Sequence, residues 1–228
     1  MSPRFFPSLK KWPLAVQQAL FLLNEVPRYG ETRTIDFDIG PPEHGRLPFR
    51  ATIDGRMALL CELNDSYPFL GELREWMERC LVSDREGTLH PEIVTLDCTD
   101  TVLSMVMIHV GWEDDRGLPS PISLFILIRS DRKAPVVCCF CHTFRLIGNL
   151  YRAFLDSLSS PGFDDPEEWF DVRRFDTLSG KTVRQRLVES FRSVKIEKFL
   201  RSFSIISWFD DVCQSAGLHL PPTKTPKR

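Results

Sequence analysis

No stretch of this chain stays apolar for the roughly 18–20 residues that a helix needs to span a bilayer. An excess of one charge is missing too. Lys and Arg number 29 against 31 Asp and Glu, a formal net charge of −2, so no global field draws the molecule toward nucleic acid or membrane. Glycine is scarce, 12 in 228 residues, which leaves few places for a backbone to close around phosphate. A Gly-rich dinucleotide fingerprint is absent. "SGKT" at 179–182 lacks the glycine five residues before Gly180, and no buried strand is expected ahead of it. There is no Gly-x-Ser-x-Gly elbow for a nucleophilic serine. There is also no second Cys-x-x-Cys or His-x-x-x-His to complete a structural zinc site. His44, His90, His109, His142 and His219 are scattered. The acidic pairs Asp114-Asp115, Asp164-Asp165, Glu167-Glu168 and Asp210-Asp211 fall in expected loops and helix ends rather than in buried, pKa-shifted positions.

What the chain does have is apolar material, 43% of its residues, enough for a substantial core. Its seven cysteines are an odd number in a chain too large to need a disulfide framework. Cys61, Cys80, Cys98, Cys138, Cys139, Cys141 and Cys213 mostly sit in apolar runs, where a free thiol packs as a small hydrophobe. That usage suits a reducing compartment. The opening "MSPRFFPSLKKWPLAVQQALFLLNEV" sets basic residues before an apolar stretch, as a signal peptide does. Gln17 and Gln18 interrupt the stretch, however, and no small-x-small cleavage site follows. The expectation is an amphipathic helix over 13–24 and a cytoplasmic location.

"TRTIDFDIG" alternates Ile35, Phe37 and Ile39 with polar neighbours, the period of a half-buried strand. "PPEHG" reads as a turn. Asp54-Gly55, between the two apolar runs of "RLPFRATIDGRMALLCEL", predicts a two-residue hairpin. A helix follows in "NDSYPFLGELREWMERCL", with Asp65 or Ser66 capping it and Pro68 in its first turn. Phe69, Leu70, Leu73, Trp76, Met77, Cys80 and Leu81 give that helix one broad apolar face. Strands are then expected over 92–98, 102–112, 122–129 and 136–141, and a helix over 143–158.

Shifting the second half back by 77 positions lays Leu59-Leu60-Cys61 over Val136-Val137-Cys138. It also lays Phe69-Leu70-Gly71 over Leu146-Ile147-Gly148, and Leu73, Met77 and Leu81 over Leu150, Phe154 and Leu158. The match suggests an internal duplication of a strand-hairpin-helix unit, with chance similarity as the alternative. The expected fold class is therefore α+β: two such units, 31–82 and 91–160, with antiparallel sheet, after an N-terminal helix and within a 1–160 domain. A helical region over 161–217 and a disordered tail over 218–228 complete the chain.

In the last third, "KTVRQRLVESFRSV" reads as one amphipathic helix with Val183, Leu187, Phe191 and Val194 on one side. "IEKFLRSFSIISWFDDVCQSAG" reads as another, ended by Gly217. Around the second, Phe199, Leu200, Phe203 and Ile206 take one side, while Ile205, Trp208, Phe209 and Val212 take much of the other. Such a helix needs cover from two directions: the protein's own core, and a neighbouring helix, a second copy or a partner. Between 173 and 201, Arg173, Arg174, Lys181, Arg184, Arg186, Arg192, Lys195, Lys198 and Arg201 outnumber the acids, a pattern that phosphates could engage.

The densest run of reactive side chains is "VVCCFCHTF" at 136–144. Alternation puts Cys139 and Cys141 on one strand face and Cys138 on the other. Alternate side chains on a strand are roughly 7 Å apart, too far for two thiolates on one zinc. The preferred reading of these cysteines is core packing.

These observations point to a non-catalytic protein-binding molecule without metal, cofactor or membrane contact. Its partner would be another protein or a second copy, and Phe203, Trp208, Phe209, Arg184 and Arg192 are the candidate contact residues. The strands followed by "ELREWMERCL" and "NLYRAFLDSL" resemble small bacterial proteins, a resemblance that implies no activity. A bacterial immunity or inhibitor protein, or an accessory subunit of a defence or secretion complex, fits this outline. Nucleic-acid binding through 173–201 is the second expectation, and an enzyme pairing Cys139 or Cys141 with His142 the third.

Overall fold

Asp54 and Gly55 both take positive φ, 49° and 75°, the backbone that a two-residue hairpin matched to strand twist requires. They join strand β2 (Arg46–Ile53) to β3 (Arg56–Asn64), with Ile53 paired to Arg56 across the turn. His44 and Gly45 repeat the same angles one connection earlier, closing a bridge between Glu43 and Arg46 after β1 (Ile35–Ile39). The computed structural model describes residues 14, 17, 32–64, 68–86, 91–109, 122–158, 160 and 183–202. Four more strands follow: β4 (Pro91–Cys98), β5 (Thr101–His109), β6 (Ile122–Arg129) and β7 (Val137–His142). The seven form one antiparallel sheet in chain order. The helices are α1 (Pro68–Glu86), α2 (Thr143–Leu158), α3 (Val183–Phe191) and α4 (Val194–Ser202), so the fold is α+β. Among the described residues no helix is long and apolar enough to cross a membrane. Of the helix expected over 13–24, Leu14 and Gln17 are described and are helical. The expected caps Asp65 and Ser66, and the tail 218–228, lie outside the described residues.

The sheet has a weak seam and a nearly closed mouth. β3 and β4 share one paired position, Leu63 with Cys98, extended by a bond from Thr99 N to Glu62 O (3.0 Å). At the opposite end Arg33 N donates to Phe140 O (2.8 Å), so the lead-in to β1 returns to β7. Helix α2, which follows β7, then lies along the open edge of β1. Asn149 Nδ2 donates to Ile35 O and Ser157 Oγ to Gly40 O, both 2.9 Å. Free carbonyls on an edge strand invite another chain, and these side chains occupy them.

Because strand side chains alternate, the register sorts residues onto two faces. Ile35, Phe37, Leu47, Phe49, Leu63, Leu96, Met105, Phe125, Leu127 and Val137 line the inner face. Curvature brings Phe37 of β1 edge-on to Phe125 of β6, with ring centroids 6.2 Å apart. Leu73, Trp76 and Met77 of α1, with Leu150, Tyr151 and Phe154 of α2, fill the concave side. Helices α3 and α4 add Leu187, Val188, Phe191, Ile196 and Leu200 to the same core, behind α1 and α2. Gly148 permits this close approach, since a Cβ there would meet Leu200 Cδ2 at 3.2 Å.

One expectation needs correction. The segment 181–194 is not one continuous helix: it breaks at Arg192-Ser193, and Ser193 Oγ caps α4 by accepting from Ile196 N (3.2 Å). Val194 therefore leaves the apolar stripe and is 78% exposed. The 77-residue shift keeps helix phase, because Phe69, Leu70, Leu73, Met77 and Leu81 and their counterparts are all buried. It does not keep strand phase. Leu60, 63% exposed, falls on buried Val137, while inward Cys61 falls on outward, exposed Cys138. The shared glycine also differs in role, since a Cβ at Gly71 would meet nothing.

Candidate functional site

Three places gather side chains capable of chemistry. The first is β7. Cys141 is buried and Cys139 half-buried on the inner face, as alternation predicts. Cys138 points the other way and is exposed, so it is not the core residue that the cysteine-rich run was read to supply. Burial pushes the two inner thiols up, Cys139 to about 12 and Cys141 well above its ordinary value. His142 lies on the outer face with Cys138, opposite Cys139 and Cys141, because it is one residue beyond Cys141 on the strand. Its Nε2 sits 3.4 Å from Thr32 Oγ1, and burial, then the Arg145 charge, hold its pKa below the usual value. A thiolate–imidazole pair needs both groups within hydrogen-bond reach, and this strand separates them.

The second place was not legible from spacing. Register sets His109 beside Ser123 and Ser123 beside Cys141 on adjacent strands, all on the inner face. Ser123 Oγ and Thr143 Oγ1 hydrogen-bond at 2.7 Å, joining β6 to the start of α2. Ser123 and Thr143 are wholly buried, so their two hydroxyls satisfy each other inside the core and offer no face to a substrate. Among the described residues no group of three or more His, Cys, Asp or Glu side chains could hold a metal ion.

The third place joins the C-terminal helices to the body. Glu197 of α4, 6% exposed, accepts from Arg192 Nε (2.9 Å), Arg192 Nη2 (3.1 Å) and the Tyr151 hydroxyl (3.2 Å). Tyr151 in turn accepts from Ser193 N (3.0 Å) and stacks on Phe191 at 5.2 Å. Burial, followed by the Glu197 charge, keeps that phenol well above its ordinary range and hence neutral. Ser193 Oγ donates to Glu78 Oε1 (2.6 Å) and Lys195 Nζ to Glu78 Oε2 (2.9 Å), while Arg74 Nη1 donates to Ser190 O (2.5 Å).

Arg192, a candidate contact residue, is thus a two-pronged partner of a buried carboxylate within the fold. Arg184 lies in α3, with its side chain outside the described residues, as are Phe203, Trp208 and Phe209. One further pair escaped the spacing argument. Cys61 and Cys98 bring their sulfurs to 3.6 Å at the β3–β4 seam, although 37 positions separate them. No family model, curated protein or solved structure matches the chain.

Proposed function

We propose that this chain is a non-catalytic protein-binding molecule, in which the 1–160 sheet domain carries a 161–217 helical region as its contact surface. The observation that supports this is the allegiance of α4. Ile196 and Leu200 are buried against the helical layer, so this side of α4 is spent on the protein's own core. By sequence alone, a helical period continued past Ser202 would carry Ile205, Trp208, Phe209 and Val212 on the other side, where they would need a different cover. Large aromatics of this kind supply the anchors of protein interfaces. The partner is another protein or a second copy of the chain, as for a bacterial immunity or inhibitor protein or an accessory subunit of a defence or secretion complex. A cytoplasmic setting accords with the many free thiols. The same reading takes 31–82 and 91–160 as related units, on the support of their matched helix burial alone. Nucleic acid is a weaker alternative, because Arg192 is committed to Glu197.

The test compares the intact chain with Trp208→Glu/Phe209→Glu by light scattering and by pull-down at matched thermal stability. A dimer or a specific stoichiometric complex that the double variant loses supports the reading. A wild-type monomer that recovers no partner, or binding that the variant retains, rejects it.

A further inference from the structure

The β3–β4 seam is the thinnest join in the sheet, with one paired position and one flanking backbone bond. Cys98 supplies half of that pair, and Cys61 lies two residues before its partner Leu63, diagonally across on the same inner face. Their sulfurs are 3.6 Å apart. Cys98 is 5% exposed at the end of β4, next to the Thr99-Asp100 turn, and Cys61 is half-buried, so the pair sits at the rim of the sheet with Cys61 its more accessible member. Arg129 of β6 lies on the same face, its guanidinium paired with Asp131 at 2.9 Å yet still acting on both sulfurs. Among the described residues the other cysteines show no such sulfur–sulfur contact: Cys80 and Cys141 are deep in the core, and Cys138 and Cys139 point to opposite faces.

We propose that Cys61 and Cys98 are a redox-active dithiol that closes to a reversible disulfide across the β3–β4 seam when hydrogen peroxide is present. The Cys98 thiolate attacks the terminal peroxide oxygen and breaks the O–O bond. This leaves a sulfenic acid on Cys98 and releases water once the departing hydroxide is protonated. The Cys61 sulfur then attacks the Cys98 sulfur, giving up its proton and expelling a second water as the S–S bond forms. Two thiols and one peroxide become one disulfide and two waters, with the peroxide reduced and the thiols oxidised. The hydrogen bond shared by the two sulfurs, opposed by burial and aided by the Arg129 charge, holds Cys98 below the ordinary thiol range, which favours it as the attacking sulfur; the same chemistry closes the bond when Cys61 attacks first.

The sulfurs must approach by about 1.5 Å to bond, and diagonal cross-strand neighbours lie near the upper limit of separation for a disulfide. A bond that forms only when strands shift is easily reduced, which suits a switch better than a permanent staple. The closed loop encloses α1, so oxidation cross-links the first half of the sheet to the second.

This inference is independent of partner binding, and its test reads thiol chemistry. The full-length chain is treated with hydrogen peroxide, quenched with an alkylating reagent and mapped by mass spectrometry. The expected product is a peptide linked through Cys61 and Cys98, with the remaining cysteines alkylated. The thermal midpoint should rise by roughly 5–10 °C, reversed by a dithiol reductant. Cys61→Ser should accumulate a sulfenic acid on Cys98 that a 1,3-diketone traps, and Arg129→Gln should slow oxidation severalfold. Oxidation that begins at Cys138, or a Cys61–Cys98 pair still reduced when Cys138 is fully oxidised, overturns the proposal. Both are read on the wild-type chain, so the result does not depend on any variant folding.

Discussion

The two halves of the sheet share an inner face but treat their outer faces oppositely. In β1 burial alternates strictly, with Ile35, Phe37 and Ile39 inside and Asp36 and Asp38 facing water, where Asp38 pairs with Arg50; β2 and β3 keep the same period apart from the irregularity at Ala51-Thr52. In β5 and β6 it barely alternates. Met105 to His109 and Ser123 to Leu127 are buried without a break, and Val106 and Ile108 on the outer face stand opposite Ile126 and Leu124. One antiparallel sheet thus contains a half-wet region and a region dry on both sides, two regimes that normally distinguish whole sheets. The following helices differ in the same sense. After the first half, α1 meets the C-terminal helices through Glu78 and Arg74 near the surface; after the second, α2 meets them through buried Tyr151.

The strongest way to break this contrast is to place a charge on the dry outer face. Ile126→Asp buries a carboxylate with no cation in register, and the expected loss is roughly 4–5 kcal/mol or more, enough to unfold the chain. Urea denaturation reads it directly. A loss under about 1 kcal/mol would mean that this face is as wet as that of β1 to β3.

The contrast also marks where sequence reading succeeds. The half-wet strands announced themselves by period: Ile35, Phe37 and Ile39, and the Asp54-Gly55 turn, lie where alternation and turn chemistry place them. The dry strands were found as apolar runs, β6 over its full length, but a run without alternation does not say which side chains face which way. That is why the 77-residue shift looked sound through β7 while it set inward Cys61 on outward Cys138. The break at Ser193 was hidden for a different reason. Phe191 and Val194 keep helical spacing, and only the buried phenol of Tyr151, whose oxygen accepts from Ser193 N, reveals why the backbone turns there. The Cys61–Cys98 pair depends on how β3 meets β4, a tertiary fact with no local signature.

Tyr151→Phe sharpens the comparison on the helical side. It removes the acceptor of a buried Ser193 N–H and one of the donors to Glu197, while leaving the ring stacked on Phe191. The expected cost is about 1–3 kcal/mol, the penalty of an unsatisfied buried donor, with little change in the shape of the core. Equal stability of variant and wild type would show that the phenol oxygen is not what joins α4 to the body.

Glu78 should matter less, and in a pH-dependent way. Burial raises its pKa, but hydrogen bonds from Ser193 and Lys195 outweigh burial and hold it below the ordinary 4.5. A carboxylate depressed in the folded state stabilises fully above its unfolded pKa, and that stability is lost as pH falls through the folded value. The wild type should therefore lose stability between about pH 5 and pH 3 more steeply than Glu78→Gln does. Solvent screening at this half-exposed rim keeps the difference small. Parallel pH profiles for the two proteins would detach Glu78 from the joint.

The smallest expected effect is the counterpart of the largest. Leu60 occupies the outer face of β3, opposite Arg50, and is 63% exposed. Leu60→Asp puts a carboxylate into water beside a guanidinium that already pairs with Asp38 on the adjacent strand β1. Neither cavity nor desolvated charge results, so the change should lie within about 0.5 kcal/mol. The same chemical substitution would then cost several kcal/mol at Ile126 and almost nothing at Leu60, although both are aliphatic residues on the outer face of one sheet. A large loss at Leu60 would mean that the first half is also covered in solution, and a second copy of the chain seated on β1 to β3 would be the first thing to look for.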